Sequence, residues 1–186
     1  MTQQTQHAAR WPAAVITVSD SCARGSRQDI SGPAVAAELR AAGFETAEPV
    51  VVPDEQVAIQ DAILDAIRAA ASSSRLVVTT GGTGISPRDV TPEATRAVCD
   101  RMLEGVAELM RAEGRRDTPM AVLSRGLCGT RGTTIILNLP GSPKGAVSSL
   151  RAALPVLPHA LELLSGRTEH SGDVAGPPAE RKVPRI

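Results

Sequence analysis

The four residues Gly81-Gly82-Thr83-Gly84 form the loop with the clearest chemical potential in this chain. The loop directly follows the apolar run 75–80, which predicts a buried strand. Glycine allows the backbone to turn sharply and approach a ligand closely, and successive free N–H groups can bind an anion such as phosphate. The loop is neither a Walker A motif nor a GxGxxG motif. It predicts a phosphate-binding turn, and a plain tight turn is the alternative.

Three acidic residues follow predicted strands or precede helix starts: Asp20, Asp54 and Asp89. Mg²⁺ takes few carboxylates, several waters and phosphate oxygens of the substrate, so an acid beside a phosphate cradle suits it. Asp89 is therefore a candidate magnesium ligand, and Asp54 is a second one. The alternatives are a helix cap or a surface ion pair for Asp89, and a helix N-cap for Asp54. These acids favour metal-assisted phosphoryl or nucleotidyl transfer.

A second turn of the same design is Pro140-Gly141-Ser142, which comes between a predicted strand and a predicted helix. It could supply N–H groups, a hydroxyl and the charge of Lys144 to an anion, or it could be a simple β–α connection. Ser124-Arg125 lies in a polar break of the pattern. Arg125 could bind a phosphate, whereas most isolated arginines are solvated surface charges. Arg24 and Arg27 could close over a ligand or solvate their loop, and the second interpretation is preferred.

The composition argues against several classes of protein. The chain has 20 basic and 20 acidic side chains, one Trp, one Phe and no Tyr, so neither nucleic acid nor an anionic membrane is expected as a partner. Three widely spaced cysteines and three histidines supply neither a disulfide framework nor a His/Cys metal site. We find no signal peptide and no transmembrane run, and we expect a cytoplasmic protein.

Strand and helix patterns alternate along residues 13–166. Strands are predicted over 13–18, 44–52, 75–80 and 133–139, with helices between them and a pair of helical segments after the last. Thr91 is predicted to cap a helix that continues with interruptions to about residue 113. The pattern indicates an α/β fold with three layers, a mostly parallel central sheet and helices on both faces. Residues 1–12 and 167–186 are interpreted as flexible tails around this single domain.

The chain resembles the molybdopterin-binding family of molybdenum-cofactor biosynthesis. The resemblance covers about residues 13 to 166 and rests on the order of motifs along the chain. These motifs are Val18-Ser19-Asp20, Ile30-Ser31-Gly32-Pro33, Pro53-Asp54-Glu55, Thr80-Gly81-Gly82-Thr83-Gly84, Pro87-Arg88-Asp89-Val90-Thr91-Pro92-Glu93-Ala94, Leu123-Ser124-Arg125 and Asn138-Leu139-Pro140-Gly141-Ser142-Pro143.

This resemblance implies an activity: transfer of AMP from ATP, with Mg²⁺, to the terminal phosphate of molybdopterin, with release of pyrophosphate. It also implies a homotrimer and a partner that inserts molybdate. The implied roles are distributed as follows: Asp54 and Asp89 as catalytic and metal-binding residues; Gly81, Gly82, Thr83, Gly84, Pro140, Gly141 and Ser142 as nucleotide- or phosphate-binding residues; Ser19, Asp20, Ser124 and Arg125 as pterin-binding residues.

Two other functions remain open at this point. The same family includes domains that bind molybdopterin or act as scaffolds without catalysis. An unrelated phosphosugar or nucleotide enzyme could also use this sheet architecture, because fold does not fix function.

Overall fold

The computed structural model describes residues 11–69 and 75–166. The predicted tails therefore lie largely outside the described residues. The strands are β1 (Pro12–Val18), β2 (Glu45–Thr46), β3 (Val50–Val52), β4 (Arg75–Thr80), β5 (Arg101–Met102), β6 (Cys128–Arg131) and β7 (Thr134–Leu139). The helices are α1 (Asp20–Ala23), α2 (Ser31–Ala41), α3 (Gln56–Arg68), α4 (Thr91–Val98), α5 (Glu104–Asp117), α6 (Pro143–Ala153) and α7 (Leu157–Leu164), with a 3₁₀ segment at Pro119–Leu123.

The strands form one mixed sheet in the order β2-β1-β4-β7-β6-β5, with β3 also paired to β1. β1, β2, β3, β4 and β7 run parallel, whereas β5 and β6 pair in the antiparallel direction at one edge. Parallel strands need crossover connections, and the helices between them supply these connections. The predicted mostly parallel sheet is confirmed.

Helices cover both faces of this sheet. Alternate residues of the central strands point into two separate apolar clusters, so Leu76 and Val78 lie in one cluster and Val77 in the other. The larger cluster is closed by α2, α5, α6 and α7. The smaller cluster is closed by α3 and α4, with Ile59 and Ile63 fully buried. Burial on both faces explains why the strands read as continuous hydrophobic runs rather than as alternating ones.

The predicted single strand 44–52 is wrong, because the structure contains two short strands, β2 and β3, in its place. Pro49 lies between them. Proline has no N–H to donate to a strand pairing, so a continuous strand is interrupted at that position. β3 nevertheless aligns with β1, and Ile16, Thr17 and Val18 pair with Val50, Val51 and Val52.

The helical pattern predicted from Thr91, with interruptions, to about residue 113 corresponds to the two helices α4 and α5. The short strand β5 that separates them was not predicted. The antiparallel strand β6 was not predicted either, since its four residues Cys-Gly-Thr-Arg carry no hydrophobic period. At the other end of the chain, β1 begins at Pro12, within the segment that the pattern assigned to the tail.

The loops that follow β1, β3, β4 and β7 all leave the sheet at the carboxyl ends of parallel strands. In open α/β sheets ligands bind at this edge. The topology therefore brings the loops predicted to carry chemistry to one edge of the sheet. Among the described residues, no helix is long and apolar enough to cross a bilayer.

Candidate functional site

The glycine turn after β4 packs tightly against its neighbours. Gly81 and Gly82 have φ angles of +106° and +61°, a backbone conformation that residues with a β-carbon rarely adopt. A β-carbon on Gly81 would collide with the carbonyl oxygen of Val18 at the end of β1. A β-carbon on Gly141 would lie 3.2 Å from the Cα of Gly81, so the two predicted turns touch. The glycines are required both by conformation and by close approach.

All four carbonyl oxygens of this turn are held by hydrogen bonds from the protein. The Thr91 hydroxyl donates to the Gly81 oxygen at 3.0 Å and its N–H donates to the Gly82 oxygen at 3.1 Å. Arg125 donates its N–H to the Thr83 oxygen at 2.9 Å and its Nε to the Gly84 oxygen at 2.7 Å. The predicted capping role of Thr91 is wrong, because the helix begins at this residue and its hydroxyl anchors the turn.

The N–H groups of the same turn are used differently. The Gly81 N–H donates to the Leu139 oxygen at 3.2 Å. The N–H groups of Gly82, Thr83 and Gly84 donate to no acceptor in the described part of the chain. The turn thus has its oxygens fixed to the protein and three successive N–H groups free for a ligand, as an anion cradle requires.

Asp54 lies beside the turn at the end of β3. The β-carbon position of Gly82 is 3.2 Å from Asp54 Oδ1. Asp54 Oδ2 accepts the N–H of Asp20 at 2.7 Å, and α3 is capped by Glu55, so the alternative of an N-cap role for Asp54 is excluded. Partial burial raises the pKa of Asp54, and the charges of Asp20 and Asp89 add to this increase.

Asp89 lies at the other end of the turn. Its Oδ2 accepts the N–H of Ser86 at 2.8 Å, and this atom is 2.9 Å from the β-carbon position of Gly84. The glycine turn is therefore flanked by Asp54 on one side and Asp89 on the other. The predicted proximity of the glycine turn to Asp89 is present in the structure.

Asp20 and Arg125 are engaged by protein groups and line neither of the cavities described below. Asp20 accepts hydrogen bonds from Arg88 and from the N–H of Asp54. Arg125 forms an ion pair with Glu93 and donates to the carbonyl oxygen of Asp89 at 2.5 Å. Arg125 lowers the pKa of Glu93 through this contact. The pterin-binding roles of Asp20 and Arg125 stay predictions.

The second predicted turn begins α6. The Ser142 hydroxyl caps that helix by accepting the N–H of Gly145 at 3.3 Å. The Pro140 oxygen accepts from the Thr80 hydroxyl at 2.7 Å, which connects the ends of β4 and β7. Behind the turns, the buried Asn138 amide donates to the hydroxyls of Thr79 and Thr95, at 2.9 and 2.8 Å, and accepts the Leu127 N–H.

Two cavities meet at the paired turns. One, of about 510 Å³, has largely apolar walls and is lined by Gly82, Thr83, Gly84, Asp89, Ser124 and all of Pro140–Ser142, among other residues. The other, of about 490 Å³, is lined by Ser19, Asp54, Gly81, Gly82, Gly141 and Ser142, among others. We call the first the apolar cavity and the second, whose wall has the larger polar share of the two, the polar cavity. A third cavity, of about 900 Å³, lies between α3 and the strands and holds none of the predicted site residues.

Among the cavity-lining residues that were not assigned from the sequence are a wall formed by α5 and the side chain of Arg27. Ala107, Met110 and Gly114 of α5 form a wall of the apolar cavity, and their spacing of three and four residues on one helix face was a usable signal. Arg27 lines the polar cavity. Its guanidinium has no hydrogen bond or ion pair with any described residue, so it is available to a ligand in this cavity or to solvent.

The donor set fits magnesium better than a softer metal. Among the described residues, no three carboxylates, histidines or cysteines are grouped closely enough to hold an ion by themselves. Mg²⁺ does not need such a group, because it binds through one or two carboxylates together with waters and phosphate oxygens. Asp54 and Asp89 flank the phosphate-type turn. Burial is the main cause of the raised pKa of Asp54, and a bound cation would offset the charge repulsion from Asp20 and Asp89 that adds to it.

The fold and site define a three-layer α/β domain whose candidate ligand site lies at the carboxyl edge of its sheet. The chain belongs to the molybdopterin-binding family of molybdenum-cofactor biosynthesis, because residues 14–159 match the family described as "Probable molybdopterin binding domain".

Individual relatives agree with this assignment. The molybdopterin adenylyltransferase of Helicobacter pylori strain J99 is 38% identical over 154 residues, which cover 82% of this chain and 86% of that protein. The molybdenum cofactor synthesis protein cinnamon of Drosophila melanogaster is 40% identical over 152 residues, and the match covers 81% of this chain but only 25% of that longer protein. The crystal structure of the molybdopterin biosynthesis enzyme MoaB from Thermus thermophilus superposes with a TM-score of 0.76 at 52% identity, covering 84% of this chain and 97% of that one.

Proposed function

We propose that this protein is a molybdopterin adenylyltransferase, which transfers AMP from ATP to the terminal phosphate of molybdopterin and releases pyrophosphate. The observation that supports this most directly is the glycine turn with three free N–H groups between two carboxylates. The Helicobacter relative, which bears this name, spans most of the chain.

In the proposed reaction a terminal phosphate oxygen of the pterin attacks the α-phosphorus of ATP. A new phosphorus–oxygen bond forms, and the bond between the α-phosphorus and the bridging oxygen to the β-phosphorus breaks. The N–H groups of Gly82, Thr83 and Gly84 would hold phosphate oxygens in line and stabilise charge that develops on them. The turn can stabilise this charge without reorganising, because hydrogen bonds from the protein already fix its four carbonyl oxygens.

Asp54 and Asp89 would hold Mg²⁺. When bound, this ion offsets negative charge on the phosphates of the nucleotide and the pterin. Each acid is itself oriented by a backbone N–H, from Asp20 and Ser86 respectively. The apolar cavity, with Met110 and Ala107 in its wall, suits a planar heterocycle, and the polar cavity suits an anionic part of the second substrate.

The proposal is tested by measuring pyrophosphate release with ATP, Mg²⁺ and molybdopterin. We expect release only when all three are present. Asp89→Asn should abolish the transfer and leave molybdopterin binding largely intact, as measured by titration calorimetry. Full activity of Asp89→Asn would refute the role of this acid. Molybdopterin binding without pyrophosphate release by the wild-type protein would instead identify a non-catalytic binding module.

We further propose a homotrimer in the cytoplasm that passes its product to a molybdate-inserting enzyme. The 3₁₀ segment beside the apolar cavity exposes Met120, Val122 and Leu123, at 61%, 55% and 46% of their surface, which is compatible with a protein contact. Multi-angle light scattering tests the trimer, cell fractionation tests the location, and pull-down with the molybdate-inserting enzyme tests the partner.

A further inference from the structure

The Asp20 carboxylate joins three separate loops at the carboxyl edge of the sheet. Its Oδ1 accepts the N–H of Asp54, at the end of β3, at 3.2 Å. Its Oδ2 accepts Nη2 and Nε of Arg88, in the loop after β4, at 2.7 and 3.2 Å. Asp20 itself directly follows the β1 strand and Ser19. One side chain thus connects the loop that carries Asp54 to the loop that carries Asp89.

The contact between Asp20 and Asp54 is reciprocal. While Asp20 accepts the N–H of Asp54, it donates its own N–H to Asp54 Oδ2 at 2.7 Å. This pair of hydrogen bonds fixes both the backbone and the carboxylate of Asp54. Arg88 immediately precedes Asp89, so its guanidinium fixes the backbone next to the second acid.

The charges favour this arrangement. The Asp20 side chain is only 25% exposed, whereas that of Arg88 is 58% exposed. The Arg88 hydrogen bond lowers the pKa of Asp20. A second cation, Arg24, approaches the same Asp20 oxygen at 3.9 Å, but its side chain is 69% exposed. Because Arg88 offsets the charge of Asp20, Asp54 and Asp89 remain the acids available to a cation.

We propose that Asp20 and Arg88 are positioning residues that set the relative placement of Asp54 and Asp89 for adenylyl transfer. This inference rests on the proposed function. In this proposal Asp20 acts by holding Asp54 and Arg88 in place. It does not contact the pterin directly, since Asp20 lines neither cavity.

A double-mutant cycle tests this pair. Asp20→Asn and Arg88→Gln should each lower kcat by about tenfold or more, with the KM for ATP changed by less than about twofold. The double variant should be no slower than about the slower single variant, because both changes break the same ion pair. Arg88→Lys, which retains the charge, should recover part of kcat.

The matched control is the ion pair of Glu38 and Arg151, which joins α2 to α6 outside the site with distances of 2.7 and 2.9 Å. Glu38→Gln, Arg151→Gln and their double variant should retain the wild-type kcat. Independent losses that multiply in the Asp20 and Arg88 double variant, or unchanged kcat in both single variants, would overturn the inference.

A second measurement does not depend on activity. Amide hydrogen exchange followed by NMR should be faster at Asp54 in Asp20→Ala, because that N–H loses its acceptor. Exchange should also be faster at Ser86 and Asp89 in Arg88→Gln. Unchanged exchange at these amides would overturn the inference even for an inactive protein. If the wild-type protein releases no pyrophosphate while exchange changes as expected, the proposed function fails and the positioning of the two acids stands.

Discussion

Replacing Gly81 by alanine should destabilise the protein more than the same replacement at any open glycine turn. Gly81 has a φ angle of +106°, and its missing β-carbon would collide with the carbonyl oxygen of Val18. That oxygen belongs to the backbone of β1, a central strand, and cannot rotate away. Gly43 is the matched control, since its φ angle is +90° and nothing lies within 4 Å of its β-carbon position.

The expected magnitudes follow from these two environments. A left-handed backbone costs alanine about 1–2 kcal/mol, and this cost applies to both sites. Overpacking adds about 1–3 kcal/mol at Gly81 alone. Gly81→Ala should therefore lower the free energy of unfolding by about 2–5 kcal/mol, and Gly43→Ala by about 1–2 kcal/mol. Alanine also lowers the conformational entropy of the unfolded chain relative to glycine. This effect is common to both variants and cancels when they are compared.

Equilibrium unfolding in urea provides the assay, with the single tryptophan, Trp11, as an intrinsic fluorescence probe packed against the larger core cluster. Wild type and both variants should be compared at one protein concentration, because self-association would shift apparent stability. The slope of the free energy against urea should stay constant while the midpoint falls. If Gly81→Ala is no more destabilising than Gly43→Ala, the contact between the turn and β1 does not have the role inferred here.

Three further outcomes are expected. The Asp54→Asn variant should be more stable than wild type at about pH 7, because burial raises the pKa of Asp54 and so penalises its charged form. This difference in stability, measured by thermal unfolding, should disappear as the pH falls through the raised pKa of Asp54. A difference that persists at about pH 3 would contradict burial of the charge as its cause. Gly84→Ala should lower kcat by about tenfold with little change in the unfolding midpoint. The added β-carbon would lie 2.9 Å from Asp89 Oδ2 and would therefore displace the Asp89 carboxylate. An unchanged kcat would argue against the role of Asp89 in the reaction. Arg27→Ala should raise the KM of one phosphate-bearing substrate by about tenfold, which is the effect of losing one charge-assisted hydrogen bond. The control Arg40→Ala, on the exposed side of α2, should leave the KM values of both substrates unchanged. Equal effects of the two variants would show a nonspecific charge effect.

The sequence predicted the parallel part of the fold because its signals are local. The buried strand before Gly81 and the turn at Pro140 can both be read from a few adjacent residues, and both appear in the structure. The antiparallel edge could not be read in this way. β6 is four residues long, and its partner β5 is two residues long, so pairing with β7 rather than intrinsic pattern defines them.

The candidate site shows the same division. The positions of Asp54 and Asp89 near the glycine turn followed from their place in loops at the carboxyl ends of predicted parallel strands. The contact of Asp20 with Arg88 joins residues 68 positions apart, and that of Arg125 with Glu93 joins residues 32 positions apart. No local pattern distinguishes an arginine with such a distant partner from a solvated one, so these contacts required coordinates.

The fully buried amide of Asn138 has a consequence for how reliably this chain folds. All of its described hydrogen bonds reach other parts of the chain: Thr79 on β4, Thr95 on α4 and the backbone at Leu127. A shift of β7 by one residue would carry this amide to the opposite face, among apolar side chains, with its donors unsatisfied. This cost disfavours the misaligned pairing of β7 during folding. The contact between Gly141 and Gly81 likewise forms only when β4 and β7 pair in the correct register.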